Sequence, residues 1–130
     1  MKSLFLLSLF IGLNLSLFAQ KLDCKLIHEG TFRLVDSLAG TTIIKRTKDF
    51  QIEENSNMGV KMIFDIKWID DCTYELRPKE VVKGDPALMG KKGDFMTTHV
   101  KEIKANSYIC VTTANFADLI MEREVEILNK

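Results

Sequence analysis

The sequence predicts an all-β fold, an up-and-down barrel of about eight antiparallel strands, with a two-sheet β-sandwich as the alternative. Three observations carry this. Apolar and polar residues alternate with period two over most of the chain beyond residue 20, clusters of Gly, Asn, Asp and Ser interrupt the alternation at short intervals, and only one short helical turn is signalled. Closure into a barrel is the economical arrangement because it removes the edge strands that an open sheet of this size would expose.

The elements follow in order. The first nineteen residues, MKSLFLLSLFIGLNLSLFA, place one cation at Lys2 before an apolar run and end in Leu-Phe-Ala before Gln20. That is the pattern of a secretory signal peptide. Residues 1–19 are therefore expected to be removed and residues 20–130 to form a single β-barrel domain, periplasmic or secreted. Leu22-Asp23 before Cys24 lacks the small residue that lipid attachment needs, and no later run approaches the length of a membrane span, so no anchor is expected after cleavage. Nineteen residues taken from 130 leave 111, enough for one core that buries roughly 65% of the unfolded chain's surface.

Strands are expected over 31–35, 41–46 and 50–54, punctuated by Ser37-Leu38-Ala39-Gly40, Lys48-Asp49 and Asn55-Ser56-Asn57. Val60, Met62, Phe64, Ile66 and Trp68 share one parity, Ile63 being the exception on the other, and after a turn Tyr74 and Leu76 continue the apolar face. If Trp68 opposes Tyr74 and Ile66 opposes Leu76, the loop holds an odd number of residues, most simply Asp70-Asp71-Cys72. Asp85 and Pro86 look like the cap and first position of a single helical turn through Met89. Strands then follow over 94–104, 107–113 and 119–128. The last sets Leu119, Met121, Val125 and Ile127 against Glu122, Glu124 and Glu126.

Charge and motifs mainly exclude. Lys2 is the only charge lost with the leader, which leaves 17 basic against 18 acidic residues, and no basic face or interleaved aromatics suit a nucleic acid. No phosphate loop, dinucleotide fingerprint, zinc spacing or nucleophile elbow occurs, so neither a cofactor nor an enzymatic reaction is expected. Asp70, Asp71 and Cys72 lack the further ligands a metal needs, since His28 and His99 come from unrelated segments. Cys110 and His99 are the one conceivable nucleophile and base, and both fall within plain strand patterns.

Three cysteines in an exported chain imply one disulfide and one free thiol. Cys24, before the first strand, and Cys72, in the central turn, both lie near element ends, whereas Cys110 lies inside SYICVTT as a small core residue; the favoured bridge is Cys24 to Cys72. Arg123 falls on the inward parity of the last strand, between Met121 and Val125, where a charge must be paired or stacked. The expected partners are Phe32 and Trp68, and these three residues are the expected lining of any ligand pocket. Stacking over an aromatic ring is the favoured role for Arg123, with a ligand carboxylate as the alternative.

Gly30-Thr31-Phe32 on the first strand and Arg123 on the last resemble a degenerate lipocalin signature, in which Gly-x-Trp packs under an arginine from the final strand. GTFRLVDSLAGTTIIKR, FDIKWIDDCTYELRP and NSYICVTTANF resemble a family of small exported bacterial proteins of unknown function, whose members often carry the name DNA topoisomerase IV. A type II topoisomerase needs an ATP-binding module, a DNA-cleaving tyrosine and a metal site, none of which fits here. What the resemblance implies is export and a framework of Cys24, Trp68 and Cys72. The expectation is thus an exported, non-enzymatic, monomeric barrel that acts as an envelope interaction or structural protein, with binding of an apolar or anionic small molecule inside the barrel as the alternative.

Overall fold

A computed structural model describes residues 22–129, so the expected signal peptide lies outside the described residues. Eight antiparallel strands run up and down in sequence order and close on themselves: β1 (Gly30–Asp36), β2 (Gly40–Arg46), β3 (Phe50–Asn55), β4 (Val60–Asp70), β5 (Thr73–Lys83), β6 (Met96–Ile103), β7 (Ser107–Ala114) and β8 (Ile120–Asn129). The sandwich alternative is excluded by the pairing of β1 with β8, whose register passes through Arg33 opposite Glu126. That cross-strand pair lies on the outer wall and is a bidentate ion pair, with Nε and Nη2 of Arg33 donating to the carboxylate at 2.7–2.9 Å.

The central hairpin pairs Trp68 with Tyr74 and Ile66 with Leu76, as the parity of the sequence requires. Its loop is tighter than expected. A bulge at Ile69 shifts the register so that Asp70 pairs with Thr73, leaving only Asp71 and Cys72 between the strands. Asp70 Oδ1 accepts the Cys72 N–H at 2.9 Å, which holds that carboxyl below its ordinary range. The expected turn at Pro86 is a 3-10 turn, Pro86–Met89, capped by Asp85.

A second 3-10 turn, Cys24–Ile27, has no counterpart in the period-two reading. It crosses the end of the barrel where the short β2–β3, β4–β5 and β6–β7 connections lie, and Ile27 is completely buried there. Cys24 and Cys72 form the expected disulfide, with Cα atoms 5.2 Å apart, fastening this plug to the central hairpin. The opposite end is ringed by the β1–β2, β3–β4, β5–β6 and β7–β8 connections and is here called the mouth. Gly40 enters β2 there at φ +83°, where an added Cβ would run into the Asn57 side chain.

The interior divides into two apolar clusters. Ile27, Phe32, Ile44, Val100, Tyr108, Cys110 and Val125 pack under the plug. Met62, Phe64, Ile66, Tyr74 and Leu76 line the β4–β5 side. Among the described residues one charged side chain is fully buried with them, and it is not the one that the sequence singled out.

Candidate functional site

Arg46, the last residue of β2, is 3% exposed, making it the buried arginine of this barrel. Its guanidinium lies 4.6 Å from the centre of the Phe32 ring and 4.9 Å from that of Tyr74, with Tyr108 and Trp68 near 6 Å. Nε donates to Gln51 Oε1 at 2.8 Å, Nη1 to the Ile27 carbonyl at 2.7 Å, and Nη2 to the hydroxyls of Tyr74 and Tyr108 at 3.2 and 3.1 Å. Burial raises the pKa of both phenols, so they stay neutral acceptors. Aromatic faces and neutral oxygens thus surround a desolvated cation, an arrangement that suits a planar guanidinium and not an ammonium.

The arrangement depends on β3, where the usual alternation is inverted. Phe50 and Ile52, its apolar residues, face outward: Phe50 is 36% exposed beneath the Lys79 ammonium, and Ile52 lies on the outer wall. Gln51, Glu53 and Asn55 face inward. Gln51 accepts from Arg46 and donates through Nε2 to Glu53 Oε1 at 3.0 Å, so a polar chain runs from the aromatic cage toward the mouth. Asn55, the next inward residue, is not bonded to Glu53; it donates to the Ala39 carbonyl and to Thr42 Oγ1 and accepts the Met58 N–H, which ties two mouth connections together.

Glu53 lines a hollow of about 180 Å³ at the mouth, together with Ala39, Thr42, Asn55, Met58, Val60, Met62 and Leu88. Burial raises its pKa, against the opposing pull of the Gln51 hydrogen bond and the more distant Arg46 charge. In register Glu53 lies between Ile44 and Met62, two apolar neighbours that leave the carboxylate poorly solvated.

The three residues expected to line a pocket do not meet. Phe32 is fully buried under Arg46. Trp68 is partly buried against the β4–β5 cluster, its ring stacked on His28 at 3.6 Å, and borders a groove of about 360 Å³ with Lys25, Leu26, Glu29 and Lys48. Its Nε1 is, among the described residues, the one buried side-chain polar atom without a partner. Arg123 has the expected inward parity but stands at the mouth, partly exposed, 3.7 Å from Asp36 and with Nη2 donating to Met121 Sδ at 3.4 Å. The aromatic stacking expected of Arg123 therefore belongs to Arg46. The degenerate Gly-x-Trp signature is answered in the same way, since Phe32 does pack under an arginine, but one from β2.

Cys110 and His99 face opposite sides of the wall. Val100 pairs with Cys110, and the 4%-exposed thiol is in the core, with burial pushing its pKa up to about 11. His99, one residue along, is exposed and hydrogen-bonds Thr73 Oγ1 through Nδ1. Among the described residues no group of three or more His, Cys, Asp or Glu side chains is placed to hold a metal ion, and no helix is long and apolar enough to cross a membrane. Fold and site define a closed eight-stranded barrel with a plugged end and a polar internal chain. Comparison with family models, curated proteins and solved structures finds no match to this chain.

Proposed function

We propose that this chain is an exported, non-enzymatic interaction protein that binds its partner through the outer wall of β2, β3 and β4. The observation that carries the reading is the inversion of β3. The residues that would ordinarily fill a barrel core stand outside, where Ile43 and Ile52 line a hollow of about 440 Å³ bordered by Lys45, Glu54 and Lys61. Ile63 extends the apolar stripe, since it lies opposite Ile52 in the ladder. An apolar floor with a mixed charged border matches the usual make-up of a protein contact. A closed barrel has no free edge for strand addition, so a partner must be met by side chains on a face.

The interior argues the same way. The residues beneath the plug are almost wholly buried, and the hollow at the mouth, about 180 Å³, is smaller than the roughly 300 Å³ of a site for a drug-sized molecule and has room for only a few atoms. Export is supported by the leader-like residues 1–19 and by the Cys24–Cys72 bridge, a bond favoured outside the reducing cytosol.

A photo-crosslinking residue at position 52, in the native host, tests this. A discrete adduct from position 52, and none from position 122 on the outer wall of β8, is the expected result. Equal labelling from both positions, or none from either, overturns it.

A further inference from the structure

The geometry points to the mouth hollow as a binding site for a primary ammonium group on a short apolar stem, with Glu53 as its counter-ion. This goes beyond the proposed outer-wall contact and does not depend on it.

The argument begins with the polar groups that line the hollow. Asn55 uses both its amide nitrogen and its oxygen in holding the β1–β2 and β3–β4 connections, and Thr42 Oγ1 is engaged by Asn55. Glu53 is different. Oε1 accepts from Gln51, while Oε2 accepts from no described residue. Nor is Oε2 sealed in the core, because among the described residues the one fully buried side-chain polar atom without a partner is Trp68 Nε1. It therefore reaches accessible space, and Glu53 lines this hollow. A half-desolvated carboxylate with a free oxygen needs a donor, and a charged donor satisfies it best.

Arg46 does not meet that need. No ion pair joins it to Glu53, because the Gln51 amide stands between them and Arg46 spends its own donors on Gln51, Ile27 and the two phenols. Arg123 is engaged by Asp36 and Met121. The sign of the site is thus opposite to that of the anion expected at Arg123. The remaining lining, Ala39, Met58, Val60, Met62 and Leu88, is apolar and suits a methylene stem. At about 30 Å³ for each water-sized unit, the hollow holds on the order of six non-hydrogen atoms, which is the size of a butylammonium ion or the end of a lysine side chain.

The test is a titration of the isotopically labelled protein with n-butylammonium chloride, followed by backbone amide resonances, with n-butanol as the uncharged control. Saturable shifts confined to Thr42, Glu53, Asn55 and Val60 are expected. They should be at least about tenfold weaker for Glu53→Gln, the size of one charge-assisted hydrogen bond. Val60→Phe, which fills the hollow and keeps the carboxylate, should abolish them and guards against misfolding of the first variant. A capped lysine amide separates the sources: equal shifts make a partner's lysine side chain an admissible ligand, and shifts with butylammonium alone restrict the site to free amines. The proposal is overturned if no saturable shift occurs, if n-butanol reproduces it, or if Glu53→Gln retains it. Ile52→Lys on the outer wall should leave the titration unchanged, so failure of the docking surface and failure of this site are told apart.

Discussion

The guanidinium of Arg46 lies 4.6 Å from the centre of the Phe32 ring, and it is the contact through which the two halves of the core meet. Phe32 belongs to the cluster beneath the plug, and Tyr74, on the other side of the cation, belongs to the β4–β5 cluster. A charge in this position is tolerated because every donor that it uses has an oxygen partner and its faces are covered by rings.

Arg46→Met should therefore be severely destabilising. It leaves Gln51 Oε1, the Ile27 carbonyl and two phenols short of a buried donor, a loss of about 3 kcal/mol or more. Arg123→Met should cost less than about 1 kcal/mol, because its partner Asp36 is reached at 3.7 Å in a partly exposed setting. Denaturant midpoints for the two variants, measured side by side, check the assignment. A larger loss at Arg123 would return the structural role to β8.

Removal of the Cys24–Cys72 bridge should lower stability by up to about 4 kcal/mol on the chain-entropy model, given a sequence separation of 48. The plug should be the first element to loosen, since its other anchors are Ile27 packing, the Arg46 bond to the Ile27 carbonyl, and His28, which stacks on Trp68 and hydrogen-bonds the Asp71 carbonyl in the same turn. Amide exchange with and without reductant measures both effects. Protection of residues 24–28 is expected to fall before that of the β4–β5 hairpin.

Cys110 should resist alkylation in the native protein at mildly alkaline pH. The thiol is buried and its pKa is pushed up to about 11, so less than about one part in a hundred is thiolate under those conditions. Rapid labelling after addition of denaturant, and none before, is the expected pattern. Fast native labelling would place the thiol in contact with solvent.

Glu53→Gln should change the dependence of stability on pH in a defined direction. Burial raises the folded-state pKa of Glu53 above its unfolded value, with the Gln51 bond and the Arg46 charge opposing the shift without reversing it. Such a group favours the folded state while protonated, and that contribution is lost as pH rises through the raised pKa. The variant should therefore be more stable than the wild type at neutral pH, and the advantage should shrink on acidification toward the ordinary carboxyl range. Thermal midpoints across that interval settle the sign. A wild type more stable than the variant at neutral pH would mean that Arg46 relies on Glu53 as its counter-charge.

Much of the architecture is present in the sequence because it depends on local rules. Period-two alternation pointed to the register of the central hairpin next to its turn, Ile66 opposite Leu76 and Trp68 opposite Tyr74, since cross-strand partners must share a face. It carries no sign of the two register shifts between Lys61 and Phe64. Turn residues placed the connections, Asp85-Pro86 marked the short turn, and the positions of Cys24 and Cys72 near element ends pointed to the bridge that forms. The bulge at Ile69 escaped this reading, because one extra residue in a strand leaves no mark on a short alternating pattern.

The site is where tertiary structure decided. Ile43-Ile44 puts an apolar residue on each face of β2, so parity alone leaves Arg46 undecided between core and solvent, while Arg123, flanked by Met121 and Val125, is the obvious inward candidate. On β3 the apolar parity of Phe50 and Ile52 argues for burying those two residues, and the barrel does the reverse. The physical reason is that a closed wall has one interior to share. Once Phe32, Ile44, Phe64 and Tyr74 have filled it, Arg46 must find an acceptor, and Gln51 supplies one only if β3 turns its polar edge inward. The sequence by itself pointed to about eight antiparallel strands in succession, through turn signals and parity that act between neighbours, and to the favoured bridge, through the placing of the cysteines near element ends. Closure as a barrel and not a sandwich was decided by the pairing of β1 with β8. Which residues of β2 and β3 face the interior was decided by partners 19 to 62 residues away along the chain, among them the Ile27 carbonyl and the Tyr108 hydroxyl, which meet Arg46 only when the barrel has closed.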